Sequence, residues 1–90
     1  MKIVDLVTAL DLKVYSGSKG MNNNVSGAYV SDLLSDVMGN AEKGELWITL
    51  QTHRNIMAVA SLKELPAVIL VKGLVPDRAT MEKSEEENIP

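Results

Sequence analysis

From residue 45 onward, the sequence alternates between strand-like and helix-like segments, and this order constrains the fold more than any other feature. The segment "ELWITLQ" (45–51) is not strongly polar on either side, which suits a strand covered on both faces. It is followed by the helical "THRNIMAVASLKEL" (52–65), the continuous apolar run "PAVILVKG" (66–73), typical of an interior parallel strand, and the helical "PDRATMEKSEEENIP" (76–90). Because helical crossovers join parallel neighbours, this order predicts an α/β fold with a small, mainly parallel sheet.

The N-terminal part is predicted to begin with a helix and to continue into two short strands. In "MKIVDLVTALDL" (1–12) the apolar side chains recur at helical spacing. Short β-like patterns follow in "LKVYSG" (12–17) and "NVSGAYVS" (24–31), and a polar turn rich in glycine and asparagine separates them. The helical stripe consists of Ile3, Leu6, Val7 and Leu10.

The next segment, "SDLLSDVMGNAEKG" (31–44), is predicted to be a helix with Ser31 or Asp32 as its N-cap. Asp36 lies one turn after Asp32, and two carboxylates on one helix face suit acid–base or metal chemistry as well as capping or a solvated surface. The predicted apolar face carries Leu33, Leu34, Val37, Met38 and Ala41.

The helix predicted within 52–65 is apolar around most of its circumference. Such a helix is either well buried or packs against a partner as well as against its own core. In a domain this small we therefore predict a homodimer. The residues that carry the prediction are Ile56, Met57, Ala58, Val59, Ala60 and Leu62.

Composition excludes several classes of function. Cysteine is absent and His53 is the single histidine, so no metal site and no cofactor are predicted. The net charge is −3, the basic residues are scattered, and one Trp, two Tyr and no Phe provide no stacking platform, which argues against nucleic-acid binding. No apolar run approaches the ~20 residues of a membrane span, and no secretory signal is evident, so no membrane association and a cytoplasmic location are predicted.

Ninety residues correspond to one small domain, 1–90. The chain stops at Ile89 and Pro90, where the alternation of elements would place another strand. It is therefore interpreted either as a short natural form or as a domain cut from a longer protein.

Several motifs together resemble the DRTGG domain family over the region from about residue 14 to the C-terminus. The family pattern runs Asp-Arg-x-Val-Thr-Gly-Gly-Tyr-Val, followed by a Ser-Asp-Leu-Leu-Ser helix and a Trp-Ile-Thr strand that leads into Gln-Thr-His. The segments 31–35, 47–49 and 51–53 match closely. The second half of the name motif falls on Val25, Ser26, Gly27, Ala28, Tyr29 and Val30.

The departures from the family pattern lie in the name motif itself. Asn22 and Asn23 stand where the family has Asp and Arg, Ser26 replaces Thr, and Ala28 replaces the second Gly. The charge chemistry of the Asp-Arg pair is therefore not carried over to this chain.

The resemblance implies a domain similar to the N-terminal domain of HPr kinase/phosphorylase and, more distantly, to Mur ligase N-terminal domains. It implies a regulatory or ligand-sensing role, associated with iron-only hydrogenase or with the regulation of carbon metabolism. Kinase activity belongs to a separate P-loop domain. No Gly-x-x-x-x-Gly-Lys-Ser/Thr occurs here, so kinase activity is rejected for this chain.

A candidate ligand site is predicted where the strand of Trp47 joins the next helix. Ligands of parallel sheets bind beyond the C-terminal strand ends, where helix N-termini present N–H groups. Such a site would hold a carboxylate or phosphate, although Thr52 as a simple helix cap is the alternative. The candidate residues are Thr49, Gln51, Thr52, His53, Arg54 and Asn55, with Lys72 after the following strand as a second candidate.

Three functional hypotheses follow. The first is a non-catalytic regulatory module that senses a small ligand such as a nucleotide or another anion. The alternative is a protein–protein interaction or oligomerisation module with no ligand. The third, an enzyme, has no positive support, because seven serines share one histidine and no Gly-x-Ser-x-Gly is present. The chain is therefore predicted not to be an enzyme.

Overall fold

The structure, a computed structural model, describes all 90 residues. The elements in chain order are α1 (Ile3–Leu10), a 3-10 turn (Ser18–Gly20), β1 (Gly27–Val30), α2 (Leu34–Asn40), β2 (Glu45–Thr49), α3 (Asn55–Leu62), β3 (Val68–Leu70) and α4 (Arg78–Glu87). No helix combines the length and the apolar character that crossing a bilayer requires.

The three strands form one parallel sheet in the order β1-β2-β3. Helix α2 connects β1 to β2 and helix α3 connects β2 to β3, as parallel neighbours require. Trp47 of β2 is paired with Tyr29 on one side and with Val68 on the other. The predicted fold class, a small α/β fold with a mainly parallel sheet and helical crossovers, is confirmed.

Alternation along β2 divides the core between the two faces of the sheet. Trp47 is fully buried and packs in the larger cluster, with side chains of α2 and α3 that include Val37 and Ile56. Leu46 points to the opposite face and packs with Ile3 of α1 in a smaller cluster. The sheet is therefore covered by α2 and α3 on one face and by the single short helix α1 on the other.

The strand predicted over 12–17 is wrong. This segment has no strand neighbour and is irregular. The Ser16 hydroxyl donates to Ser84 Oγ at 2.8 Å, and the Gly17 N–H donates to Glu85 Oε1 at 2.6 Å. Side chains of α4 thus bind this segment, and no strand lies beside it to satisfy its backbone groups.

The prediction of an interior strand over 66–73 is half right. β3 is parallel, as predicted, but it lies at the edge of the sheet, and Val68, Ile69 and Leu70 are only half-buried. An edge strand has a single neighbour, which leaves one row of its backbone groups and part of its side chains uncovered.

Helix α2, predicted to begin with Ser31 or Asp32 as its N-cap, begins later, at Leu34. Its N-cap is Leu33, which makes no side-chain capping bond. Ser31 Oγ accepts a hydrogen bond from the Leu33 N–H at 3.2 Å, while Asp32 points toward β2. The prediction of Ser31 or Asp32 as the N-cap is therefore wrong. For α4, the predicted start near Asp77 is confirmed.

The apolar circumference of α3 is largely explained by burial within the chain. Ile56, Met57, Val59 and Ala60 are buried, because α3 packs against the sheet, α2 and α4. Leu62 remains 69% exposed. The homodimer stays a prediction. On this helix, only the residues that remain exposed now support it.

Candidate functional site

At the C-terminal end of the sheet, the carboxylate of Asp32 ties the ends of β1 and β2 together. Its Oδ1 accepts the hydroxyl of Thr49 at 3.0 Å and the N–H of Leu50 at 2.6 Å. The side-chain amide of Gln51 donates to the backbone carbonyl of Asp32 at 2.9 Å. Donors at the predicted anion site are therefore already directed at a carboxylate of the chain itself, and an incoming anion would be repelled by its charge.

The turn into α3 is fixed by backbone groups and not by a Thr52 side-chain cap. The carbonyl of Thr52 accepts the Asp77 N–H at 3.1 Å and the Thr80 hydroxyl at 2.7 Å, which fastens the turn to the start of α4. His53 Nδ1 accepts the N–H of Asn55 at 3.2 Å. The first turn of α3 thus has partners within the chain, so fewer of its N–H groups remain available to a ligand.

The charged members of the predicted site lie at the surface. Arg54 and Lys72 are exposed and form no ion pair, and His53 and Asn55 are exposed as well. Lys72 has a left-handed backbone (φ 59°) in the turn that follows β3. The structure thus gathers Thr49 and Gln51 around Asp32, but it does not assemble the cationic residues into one pocket.

The two aspartates considered as a pair have separate partners. The Tyr29 hydroxyl lies 3.0 and 2.9 Å from the two carboxylate oxygens of Asp36, and the Asn40 side-chain amide donates to Asp36 Oδ1 at 2.9 Å. Hydroxyl groups of Ser31 and Tyr29 lower the pKa of Asp36, and the bond to Asp36 raises the pKa of Tyr29. No group of three or more potential metal ligands is present.

The first part of the name motif, residues 22–26, lies at the opposite end of the sheet, and the rest of the motif forms β1. The side-chain amide of Asn23 donates to the carbonyls of Pro66 and Asn88, at 3.1 and 3.2 Å, and holds the N-terminal end of β3 and the end of α4 together. An open polar groove of about 820 Å³ passes there, and its lining includes Asn22, Asn23, Asn24, Val25 and Ser26. Of the remaining motif residues, Ala28 is exposed and Gly27 and Tyr29 are half-buried in β1.

Sequence reasoning missed a mainly apolar cavity beside β3. Its volume, about 390 Å³, lies within the range of small-molecule sites. None of the seven predicted ligand residues lines it. Its apolar lining comes from α1 (Leu6, Val7), the segment 12–16 (Leu12, Val14), β3 (Ile69, Leu70) and the turn after β3 (Leu74).

The serine and threonine hydroxyls of the cavity have hydrogen-bond partners within the chain, and the exposed Asp11 and Lys13 are its charged lining residues. Ser16 and Ser84 share a hydrogen bond, Ser84 donates to the Ile89 carbonyl, and Thr80 donates to Thr52. No buried side-chain polar atom in the chain lacks a partner. The lining therefore suits a ligand that is mainly apolar. The sequence did contain a signal for this cavity. The segments 12–15 and 66–71 are rich in apolar residues, and several of these residues line the cavity and do not pack in the core.

Comparisons with protein-family models, characterised proteins and solved structures give no match for this chain. The resemblance to the DRTGG domain therefore stays a prediction from the motifs named above.

Proposed function

We propose that this chain is a non-catalytic regulatory domain that binds a ligand with an apolar body in the cavity beside β3. The observation that carries the proposal is the cavity itself, which is mostly apolar and in which no buried side-chain polar atom lacks a partner. Burial of apolar surface is the driving force such a lining supplies. The regulatory part of the proposal is supported by the resemblance to the DRTGG domain.

The absence of catalysis is part of the same proposal. His53 is the single histidine, and its Nδ1 accepts a backbone N–H and no serine hydroxyl. The Ser84 hydroxyl is buried and donates to a backbone carbonyl. Neither arrangement activates a nucleophile, which requires a base within hydrogen-bond reach of it.

A nucleotide or anion at 49–55 has weaker support. Asp32 accepts hydrogen bonds from donors of that region, and Arg54 and Lys72 are not gathered around it. The interaction hypothesis has a specific observation in its favour, namely the edge of β3 that no other strand covers.

The test is binding of an uncharged apolar probe, N-phenyl-1-naphthylamine, to the full chain. We expect saturable fluorescence enhancement and a rise in melting temperature, because a ligand at 100 times its Kd adds about 2.7 kcal/mol to stability. Leu74→Trp fills the cavity from its rim and should abolish binding. Val30→Trp adds the same side chain at an exposed position outside the cavity and should leave binding unchanged.

Two results would contradict the proposal. The first is a wild-type chain that does not bind the probe, and the second is equal binding by the Leu74→Trp variant. Inorganic phosphate and ATP serve as charged comparators. A rise in melting temperature with ATP that disappears in Arg54→Ala would support the anion hypothesis for 49–55 instead.

A further inference from the structure

The outer edge of β3 is an open hydrogen-bonding edge. In a parallel pair, alternate residues direct their backbone groups to the same neighbour. Ile69 is paired with Ile48 of β2, and the flanking N–H of Val71 donates to the Thr49 carbonyl at 3.2 Å. Val68 and Leu70 therefore direct their backbone groups away from β2.

Only the first of these outward groups has a partner. The N–H of Val68 donates to the carbonyl of Pro90 at 2.9 Å, so one end of the edge already pairs with extended main chain. The Val68 carbonyl and the Leu70 N–H have no partner in the chain. One residue of an added strand would satisfy both, by donating its N–H to Val68 and accepting from Leu70.

The space beside this edge is lined mainly by apolar residues, with Asp11 and Lys13 as its charged members. The apolar cavity borders Val68, Ile69 and Leu70, and Pro90 lies at its margin. The segment 12–16 lines the same cavity and is anchored to α4 through Ser16 and Gly17. The edge carries none of the charges, prolines or bulges that usually protect exposed edge strands from pairing, since 67–71 reads Ala-Val-Ile-Leu-Val.

We propose that the edge of β3 binds an extended apolar segment of a partner polypeptide, which pairs through its main chain with Val68 and Leu70. This inference rests on the proposed function, since it assigns a ligand class to the same cavity. Addition of a strand to an open edge is an established mode of peptide recognition, in which main-chain bonds provide affinity and side-chain pockets provide specificity. Here the cavity is the pocket, and the unpaired groups of Val68 and Leu70 are the main-chain partners.

The experiment titrates the ¹⁵N-labelled chain with an acetylated, amidated hexapeptide of four alternating valine and leucine residues flanked by lysines. The control peptide has the same side chains, but its apolar residues are N-methylated and cannot donate hydrogen bonds. We expect the first peptide to displace N-phenyl-1-naphthylamine and to slow hydrogen exchange of the Leu70 amide about tenfold. The control should bind about tenfold more weakly, because it leaves the Val68 carbonyl unpaired. The Ile69 amide, already within the sheet, is the internal reference.

Each outcome bears on the proposal. Equal displacement by both peptides, without protection of Leu70, would overturn strand pairing and leave apolar binding intact. If the probe binds but neither peptide displaces it, the proposal of a polypeptide partner would be overturned, and the proposed binding of an apolar ligand would stand. Failure of the probe to bind would overturn the proposed function as well. Protection of Leu70 without any peptide, increasing with protein concentration, would identify a second copy as the occupant and overturn the partner-polypeptide assignment.

Discussion

The carboxylate of Asp32 lies 3.0 Å from the hydroxyl of Thr49, a side chain that is only 2% exposed. The same oxygen accepts the Leu50 N–H. Asp32→Ala would leave both donors without this acceptor, and we expect a loss of about 1–3 kcal/mol in the free energy of unfolding. Urea denaturation of the wild-type chain and of Asp32→Ala measures this difference in the free energy of unfolding.

The matched control for Asp32→Ala is Asp77→Ala, since Asp77 is the N-cap of α4 but makes no side-chain capping bond. We expect a smaller change there, below about 0.5 kcal/mol. Equal effects of the two substitutions would show that the Asp32 bonds contribute no stability beyond that of a surface charge.

The bond between Tyr29 and Asp36 predicts a specific pH dependence. The pKa of Asp36 is lowered below its ordinary value of 3.8, so its contribution is present above pH 3.8 and is lost as the pH falls through the lowered pKa. The pKa of Tyr29 is raised above 10.0, so its contribution is present below pH 10 and is lost as the pH rises through the raised pKa. Stability should therefore decrease at both extremes.

Tyr29→Phe removes this bond and retains the ring. NMR titration of Asp36 should show its pKa moving part of the way back toward 3.8, because Ser31 contributes more than Tyr29 to the lowering. The alkaline loss of stability that Tyr29 causes should disappear. An unchanged Asp36 titration in the variant would refute the hydrogen bond as a cause.

Two glycines should respond to alanine in opposite directions. A Cβ at Gly20 would collide with the backbone carbonyl of Asn88, whereas a Cβ at Gly39 meets nothing within 4 Å. Gly39 also lies inside α2, where alanine is favoured over glycine by about 0.5–1 kcal/mol. We expect Gly20→Ala to destabilise the chain by about 1–3 kcal/mol and Gly39→Ala to stabilise it. Melting temperatures of the two variants test both signs, and a stabilised Gly20→Ala would contradict the close packing of this loop against Asn88.

The homodimer prediction is tested on α3. We expect light scattering at micromolar concentration to give twice the mass of one chain, and Leu62→Asp to give the monomer mass. Leu62 is chosen because it is exposed, so its substitution should leave the buried residues of α3 undisturbed. A wild-type chain of monomer mass would remove the prediction.

The order of elements was predictable from the sequence because it depends on local periodicity. The stripe of α1, the alternating residues of β2 and the apolar run of β3 each have a spacing of apolar residues that indicates the type of element. The parallel sheet followed from the helical crossovers. The strand predicted over 12–17 was wrong, because a short β-like pattern becomes a strand only where a neighbouring strand supplies hydrogen bonds. Here side chains of α4 supply them instead.

The candidate site was decided by tertiary structure. Sequence order places Thr49 at a strand end, but it does not show that Asp32 would reach across from the preceding loop and accept its hydroxyl. Nor does the apolar run 67–71 show that β3 has one neighbour and an empty space beside it. Periodicity determines which faces of a segment are apolar, whereas only the packing of segments distant in sequence determines which of those faces are covered.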